Sequence, residues 1–447
     1  MDPTAIEGIT PSAELRRDLA GQTVLLAFSR GKDSIAAWLA LRDAGVHVVP
    51  YHLYLVPGLE WVTESLAYYE DWFGTPILNL PHPSLYRWLA NLVFQPPERC
   101  SLIEATQIVV PTYANVNAMI REHFQLPADT WVCDGVRAAD SPNRRTALAS
   151  HGPVNEGLRT QKVVWDWRKQ HVTDAIRAAG VELPPDYAWF GRSFDGLDRR
   201  FLDPIRRHAA ADYARILEWF PLADLELHRA AVSATPCQML PSGPEGRGFR
   251  GRARREAERF RLATDSEYWI ALSFGAADSA AVFMAALGLT PHGRYLPGPE
   301  LEAAVATRAG HGRAPRPKWT AVAQQTASRR PVPDPLATMA CTGDLAADAD
   351  VELAALLAAL SAAPARPSNV LDSLHHLIAY WPTRAAKDAW LAATGLADLG
   401  DKYLDGDAAA GVLGLPHSSA ARRHLTRRLR ASHLAISRQN NERASHG

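Results

Sequence analysis

Six consecutive residues, Ser29-Arg30-Gly31-Lys32-Asp33-Ser34, bring two hydroxyls, a glycine, two cations and a carboxylate into one short stretch. Glycine lets backbone approach an oxyanion closely, lysine supplies a mobile point charge, and the hydroxyls can donate hydrogen bonds. Asp33 suits a helix N-terminus and could hold a nucleotide-bound Mg²⁺. This is the chemistry of phosphate binding. The Walker spacing G-x-x-x-x-G-K-[ST] is absent, and on these residues alone a capped strand–turn–helix connection fits as well. A second set lies downstream in Gly135-Val136-Arg137-Ala138-Ala139-Asp140-Ser141-Pro142-Asn143-Arg144-Arg145. Its guanidinium groups stay charged and match phosphate oxygens in pairs. Surface ion pairing competes with that role for Arg137 and Arg144, and is the preferred reading for Arg145.

Both sets stand directly behind apolar runs. Val24–Ser29 is expected to be a strand leading into a helix over Ser34–Ala44, and Thr130–Asp134 a strand leading into the arginine cluster. Further strands are expected at Val46–Leu55 and Pro76–Leu80. Helices are expected at Glu60–Phe73, Leu85–Val93, Ile108–His123, Lys169–Ala179 and Ala210–Phe220. Continuous apolar strands separated by amphipathic helices predict a doubly wound α/β parallel sheet covered on both faces. Ligands bind at the carboxyl ends of such strands, where both loops fall.

Taken together, the two loops resemble the PP-loop superfamily of adenine nucleotide alpha hydrolases, a HUP-like fold, and most closely its phosphoadenosine phosphosulfate (PAPS) reductase branch. The family pattern runs S-G-G-K-D-S, then G-x-R-x-x-E-S-x-x-R, then a Trp-centred segment opening a helix. Here Val164-Trp165-Asp166-Trp167-Arg168 follows in that order. The resemblance covers about residues 20 to 225. It implies that Ser29, Arg30, Gly31, Lys32, Asp33 and Ser34 meet the phosphates, with Gly135, Arg137, Asp140, Ser141 and Arg144 completing the site. Lys32, Asp33, Arg137 and Arg144 carry the catalytic expectation, ATP or a PAPS-like nucleotide is the implied ligand, and Mg²⁺ is the implied ion, at Asp33.

Several departures from the pattern shape the expected reaction. Arg30 replaces the second family glycine, so a position needing φ > 0 is strained and a guanidinium is expected near the phosphates. Asp140 replaces a glutamate. No late Cys-Gly-x-His segment is present to supply the attacking thiol of the reductases, which disfavours sulfonucleotide reduction unless Cys237 or a partner provides one. The leading expectation is therefore cleavage of ATP between its α- and β-phosphates to adenylate an acceptor. A non-catalytic nucleotide-sensing or nucleic-acid-binding accessory is the alternative from another class. Asp186–Gly196, with aromatics, a cation and glycines, reads either as a substrate wall or as a packed turn. His52, His82 and His151 lack ligand-like spacing and read as caps or surface residues.

Length and composition frame these readings. A chain of 447 residues exceeds one typical domain. Acids and bases balance at 48 each, so only local clustering can mark a nucleic-acid surface. The four cysteines contain no C-x-x-C pair, which argues against local zinc or iron–sulfur ligation. The chain is divided into a nucleotide-binding domain at 1–230, a basic Gly/Pro/Arg-rich linker at 231–262, a duplicated smaller α/β region at 263–415 and a basic tail at 416–447. The duplication aligns Tyr268-Trp269-Ile270-Ala271-Leu272 with His376-Leu377-Ile378-Ala379-Tyr380, and pairs Gly288 with Gly395 and the turns at Tyr295 and Tyr403. Two modules packed as a pseudo-dimer are expected, with one helix near Val351–Leu360 between them. The final 30 residues hold seven arginines against one acid, Glu442, so linker and tail could grip DNA or RNA. Without a signal peptide or long apolar run, a soluble cytoplasmic protein with no membrane partner is expected, and a homo-oligomer is left open. The domain pairing resembles proteins of phages and mobile elements, some of whose relatives serve DNA sulfur modification.

Overall fold

Val24, Leu25 and Leu26 are wholly buried, and alternate side chains enter different clusters. Leu25 meets Tyr51, Leu80, Ile120 and Val132 on one face, while Val24 and Leu26 join Ile35, Leu39 and Val172 on the other. A strand apolar on both faces must be covered on both, and that need builds the first layer system. In the computed structural model, residues 6–232, 265–291, 293–309, 333–337, 339–362 and 372–416 are described. Most of the basic linker, the basic tail and Cys237 lie outside them.

The central strand is β1 (Thr23–Ala27), followed by β2 (His47–Tyr54), β3 (Leu78–Pro81), β4 (Val132–Asp134), β5 (Val154–Asn155) and β6 (Thr160–Lys162). They form a six-stranded sheet in the order β3-β2-β1-β4-β6-β5, parallel throughout except where β5 meets β6. This mixed, mostly parallel α/β arrangement is compatible with a Rossmann-like fold. The helices Lys32–Asp43 and Lys169–Ala179 cover one face, and Tyr113–His123 lies on the other. Strand order reverses between β2 and β4 on either side of β1, which opens a crevice at the carboxyl edge. The helices Pro97–Ala105, Pro142–His151 and Arg199–His208, together with strands β5 and β6, go beyond the elements expected from periodicity.

A second sheet forms from β7 (Trp269–Phe274), β8 (Tyr295–Pro297), β9 (His375–Tyr380) and β10 (Tyr403–Asp405), in the order β10-β7-β9-β8. The short strands are exchanged: β8 runs parallel to β9, and β10 parallel to β7, while β7 and β9 are antiparallel. Ala271 pairs with Ile378, Tyr295 with Ile378 and Tyr403 with Ala271. The pairing therefore has a local pseudo-twofold through Ala271 and Ile378. It corrects the sequence alignment by one residue in the strands, so that Ala271 is equivalent to Ile378 and Phe274 to Trp381. The offset now matches the one between Gly288 and Gly395, both left-handed at helix C-termini with φ of 66° and 80°.

Alternation along these strands faces two cores. Ile270, Leu272, Phe274, Leu377, Ala379 and Trp381 pack under the sheet's own helices. Trp269, Ala271, Ile378, Tyr380, Tyr295 and Tyr403 join the cluster of the first sheet's layers. Polar contacts accompany that docking: Lys402 Nζ donates to Leu92 O at 3.0 Å and Tyr403 Oη to Gln95 O at 2.7 Å. The expected inter-repeat helix is present as Leu345–Ser361, and its Leu353, Leu356 and Leu360 pack into the main core. Among the described residues, no helix is long and apolar enough to cross a membrane.

The Tyr-Leu-x-Gly turns owe their glycines to this exchange. A Cβ on Gly298 would lie 2.4 Å from the Trp381 ring, and one on Gly406 would lie 2.6 Å from Phe274, the equivalent ring of the other module. Gly298→Ala and Gly406→Ala are each expected to destabilise the fold by about 1–3 kcal/mol through overpacking, seen as a lower urea midpoint. Unchanged midpoints would show that the rings yield.

Candidate functional site

The chain leaves β1 through Phe28 and turns at Ser29–Gly31 into the helix Lys32–Asp43. Ser34 Oγ donates to Gly31 O at 2.9 Å, and Ser29 Oγ donates to Ser34 Oγ at 3.2 Å, so these hydroxyls brace the turn itself. Four residues past the end of Val132–Cys133, paired beside Leu25–Leu26, Arg137 enters the same edge. Gly135 makes this possible. A Cβ there would lie 2.5 Å from the Asp33 carbonyl carbon and oxygen and 2.8 Å from Ser34 N. Two loops expected to act together thus touch through a glycine that leaves room for nothing larger.

Their charged side chains form one alternating chain. Lys32 Nζ lies 2.6 Å from Asp33 Oδ2, and Asp33 Oδ1 lies 2.8 Å from Arg137 Nε. Arg137 Nη2 reaches Asp140 Oδ1 at 2.5 Å, and Asp140 Oδ2 receives Arg144 Nη1 at 2.8 Å. Arg137, 3% exposed, also donates Nη1 to Trp167 O at 3.3 Å. The Trp-centred segment therefore sets Arg137 in place, while Trp165 Nε1 and Asp166 anchor Thr10 and Ser12 near the N-terminus. Ser141 caps the helix Pro142–His151 by accepting the Arg144 N–H at 3.2 Å, which returns Arg144 toward Asp140. Arg144 is half exposed and Arg145 exposed.

Arg30 departs from its expected place. Its backbone is left-handed, with φ 59°, and its side chain is 2% exposed and runs into the interior. Arg30 Nη2 pairs with Asp186 Oδ2 at 3.1 Å, and Nη1 donates to Ser65 Oγ at 2.6 Å. The guanidinium thus holds a buried acid and is turned away from solvent. Asp186 also accepts the Phe194 N–H at 2.9 Å, which fastens the Asp186–Gly196 segment against the turn. Tyr187 Oη accepts the Lys32 N–H at 2.8 Å. Sequence reading singled out this segment without assigning Asp186 or Tyr187 a partner; an acid and a phenol beside the aromatic run were the available signal.

His52 lies behind Arg30, its Nδ1 2.9 Å from Phe28 O; because a carbonyl only accepts, the proton sits on Nδ1. Burial first, then the Arg30 charge, holds its pKa down at about 3. His82 caps the helix Pro83–Ala90 by accepting the Ser84 N–H, as its sequence position suggests, and burial lowers it to about 4. The donor set does not suit a metal held by the protein: both Asp33 oxygens face cations. Among the described residues, no three His, Cys, Asp or Glu side chains gather as a metal site.

No protein-family model matches the chain and no curated protein is similar to it.

Two outcomes are expected. Asp186→Asn strands the buried Arg30 charge and should cost about 3–5 kcal/mol in urea unfolding, whereas Arg30→Gly/Asp186→Asn together should cost far less than the single changes summed. Additive costs would mean that the pair is uncoupled. For His52 and His82, folded pKa values lie below the unfolded value near 6.5, so the unfolded chain binds more protons between the two. Stability is full above about pH 6.5 and should fall as pH drops toward 4, with His52→Phe reducing the slope of unfolding free energy against pH.

Proposed function

We propose that the chain is an adenine-nucleotide-binding PP-loop enzyme that cleaves ATP between the α- and β-phosphates and passes the adenylate to an acceptor. The carrying observation is the approach of Gly135 to Asp33, which brings Lys32, Arg137 and Arg144 to one strand edge with a helix N-terminus. An acceptor oxygen attacks the α-phosphorus, the bond to the bridging oxygen breaks, and pyrophosphate leaves with that electron pair. Charge gathers on the leaving group, so fixed cations lower the barrier without a protein nucleophile.

The roles divide by exposure. Lys32 and Arg144 stand at the two ends of the charge chain, more exposed than Arg137 between them, and in this reading each exchanges a carboxylate for a phosphate oxygen. Arg137, gripped by Asp33, Asp140 and the Trp167 carbonyl, orients both carboxylates and through them both surface cations. A nucleic-acid acceptor, with sulfur transfer or DNA modification as the setting, suits the basic linker and tail. For PAPS reduction a reactive thiol is needed; Cys100 and Cys133 are buried in an apolar cluster, with burial pushing the Cys133 thiol pKa up, so that among the described residues the exposed Cys341 is the thiol open to react. A nucleotide-sensing accessory is the second reading, favoured by the pairing of every site cation with a carboxylate.

Pyrophosphate release from ATP with candidate acceptors tests the proposal. Lys32→Ala is expected to lower the rate by about 10²–10³-fold, as loss of one charge-stabilising donor does. ATP binding with no turnover on any acceptor would support the accessory reading, and preference for PAPS over ATP would return the chain to the reductase branch.

A further inference from the structure

The Lys32 amide is in the first turn of its helix and has no intrahelical acceptor. Its hydrogen goes instead to the Tyr187 hydroxyl, at 2.8 Å. The neighbouring Gly31 is ringed by hydroxyls: a Cβ there would lie 3.1 Å from Ser29 Oγ, 3.3 Å from Ser193 Oγ and 3.6 Å from Tyr187 Oη. The phenol therefore stands where an oxygen of a bound anion would take the same N–H. Its placement is built into the core, because the adjacent Asp186 is wholly buried, paired to Arg30 and bonded to the Phe194 amide. Trp189 and Phe194 lean on Trp61 at ring separations of 5.6 and 5.7 Å, and Phe190 on Phe201 at 5.0 Å.

We infer that Tyr187 is a gate on the phosphate loop, an internal stand-in for a phosphate oxygen that must leave the Lys32 N–H before a polyphosphate can seat. The inference rests on the nucleotide-binding reading above and adds a device that reading does not contain. Two features favour the exchange. Burial, with Asp33 and Asp186 nearby, raises the phenol pKa to about 12, so the resident acceptor is neutral. An oxyanion on the same donor makes a charge-assisted bond roughly twice as strong as the neutral one it replaces. Asp186 and its buried partners hold the base of the segment while the tyrosine side chain swings.

Titration calorimetry of the full chain with inorganic pyrophosphate, wild type against Tyr187→Phe, tests the gate. The phenyl ring keeps the packing and removes the competing oxygen, so pyrophosphate should bind Tyr187→Phe about five-fold more tightly, within the ~2–12-fold worth of one hydrogen bond. Equal affinity overturns the gate and leaves the phosphate site standing. Weaker binding also overturns it, by making the phenol a ligand. Absence of binding to either protein at millimolar pyrophosphate overturns the gate and the phosphate reading together. In the wild type, NMR should show the Lys32 amide and the Tyr187 ring shifting at the same half-saturation; a Lys32 shift without a Tyr187 shift overturns the gate independently of any variant.

Discussion

The buried ion pair between Arg30 and Asp186 is the constraint on which the site depends. Its side chains are 2% and 0% exposed, and they come from positions 156 residues apart. A non-glycine residue in the left-handed region costs about 1–2 kcal/mol, and two buried charges cost several more unless their hydrogen bonds are complete. Here Ser65 Oγ accepts from Arg30 Nη1 and the Phe194 amide donates to Asp186, while Arg30 Nε is left without a hydrogen-bond partner among the described residues. The penalty is offset only when the distant segment is in place, so the turn after β1 and the segment over it form as one unit. Mobility in either would release both.

Around that unit the site is electrically self-contained. Lys32, Asp33, Arg137, Asp140 and Arg144 alternate in sign, three cations to two carboxylates, with each neighbour in ion-pair contact. Alternation keeps the cations fixed without a ligand, and the excess positive charge still favours an arriving anion. The second sheet packs into the same core cluster. Lys402, fully buried, reaches Leu92 O and Glu267 and lies 4.8 Å from the Trp269 ring centre. Exchange of β8 and β10 between the repeats means that neither repeat has a complete sheet of its own.

Much of the first sheet was legible in sequence because its signals are local. Val24–Leu26 is apolar without interruption, the glycine, lysine and serine types of the following turn recur in phosphate loops, and Ile35–Leu41 is helical by composition. The helix at Leu345–Ser361 and the left-handed caps at Gly288 and Gly395 were legible for the same reason. The strands β5 and β6 were not, being two and three residues long and without an apolar period. The register of the repeat slipped by one because Ile-Ala occurs in both strands, and only the pairing of Tyr295 with Ile378 and of Tyr403 with Ala271 distinguishes the two alignments.

Residue order by itself determined which residues could do chemistry, the strand-to-helix turns that carry them, and the parallel α/β class, since each depends on neighbours a few positions apart. Tertiary structure decided the direction of the Arg30 guanidinium, the seat of Tyr187 on the Lys32 amide, the reason for glycine at 135, and the exchange of strands between repeats. Those outcomes depend on contacts between residues from about 80 to more than 150 positions apart, where burial and shape decide the partner and local sequence carries no record of it.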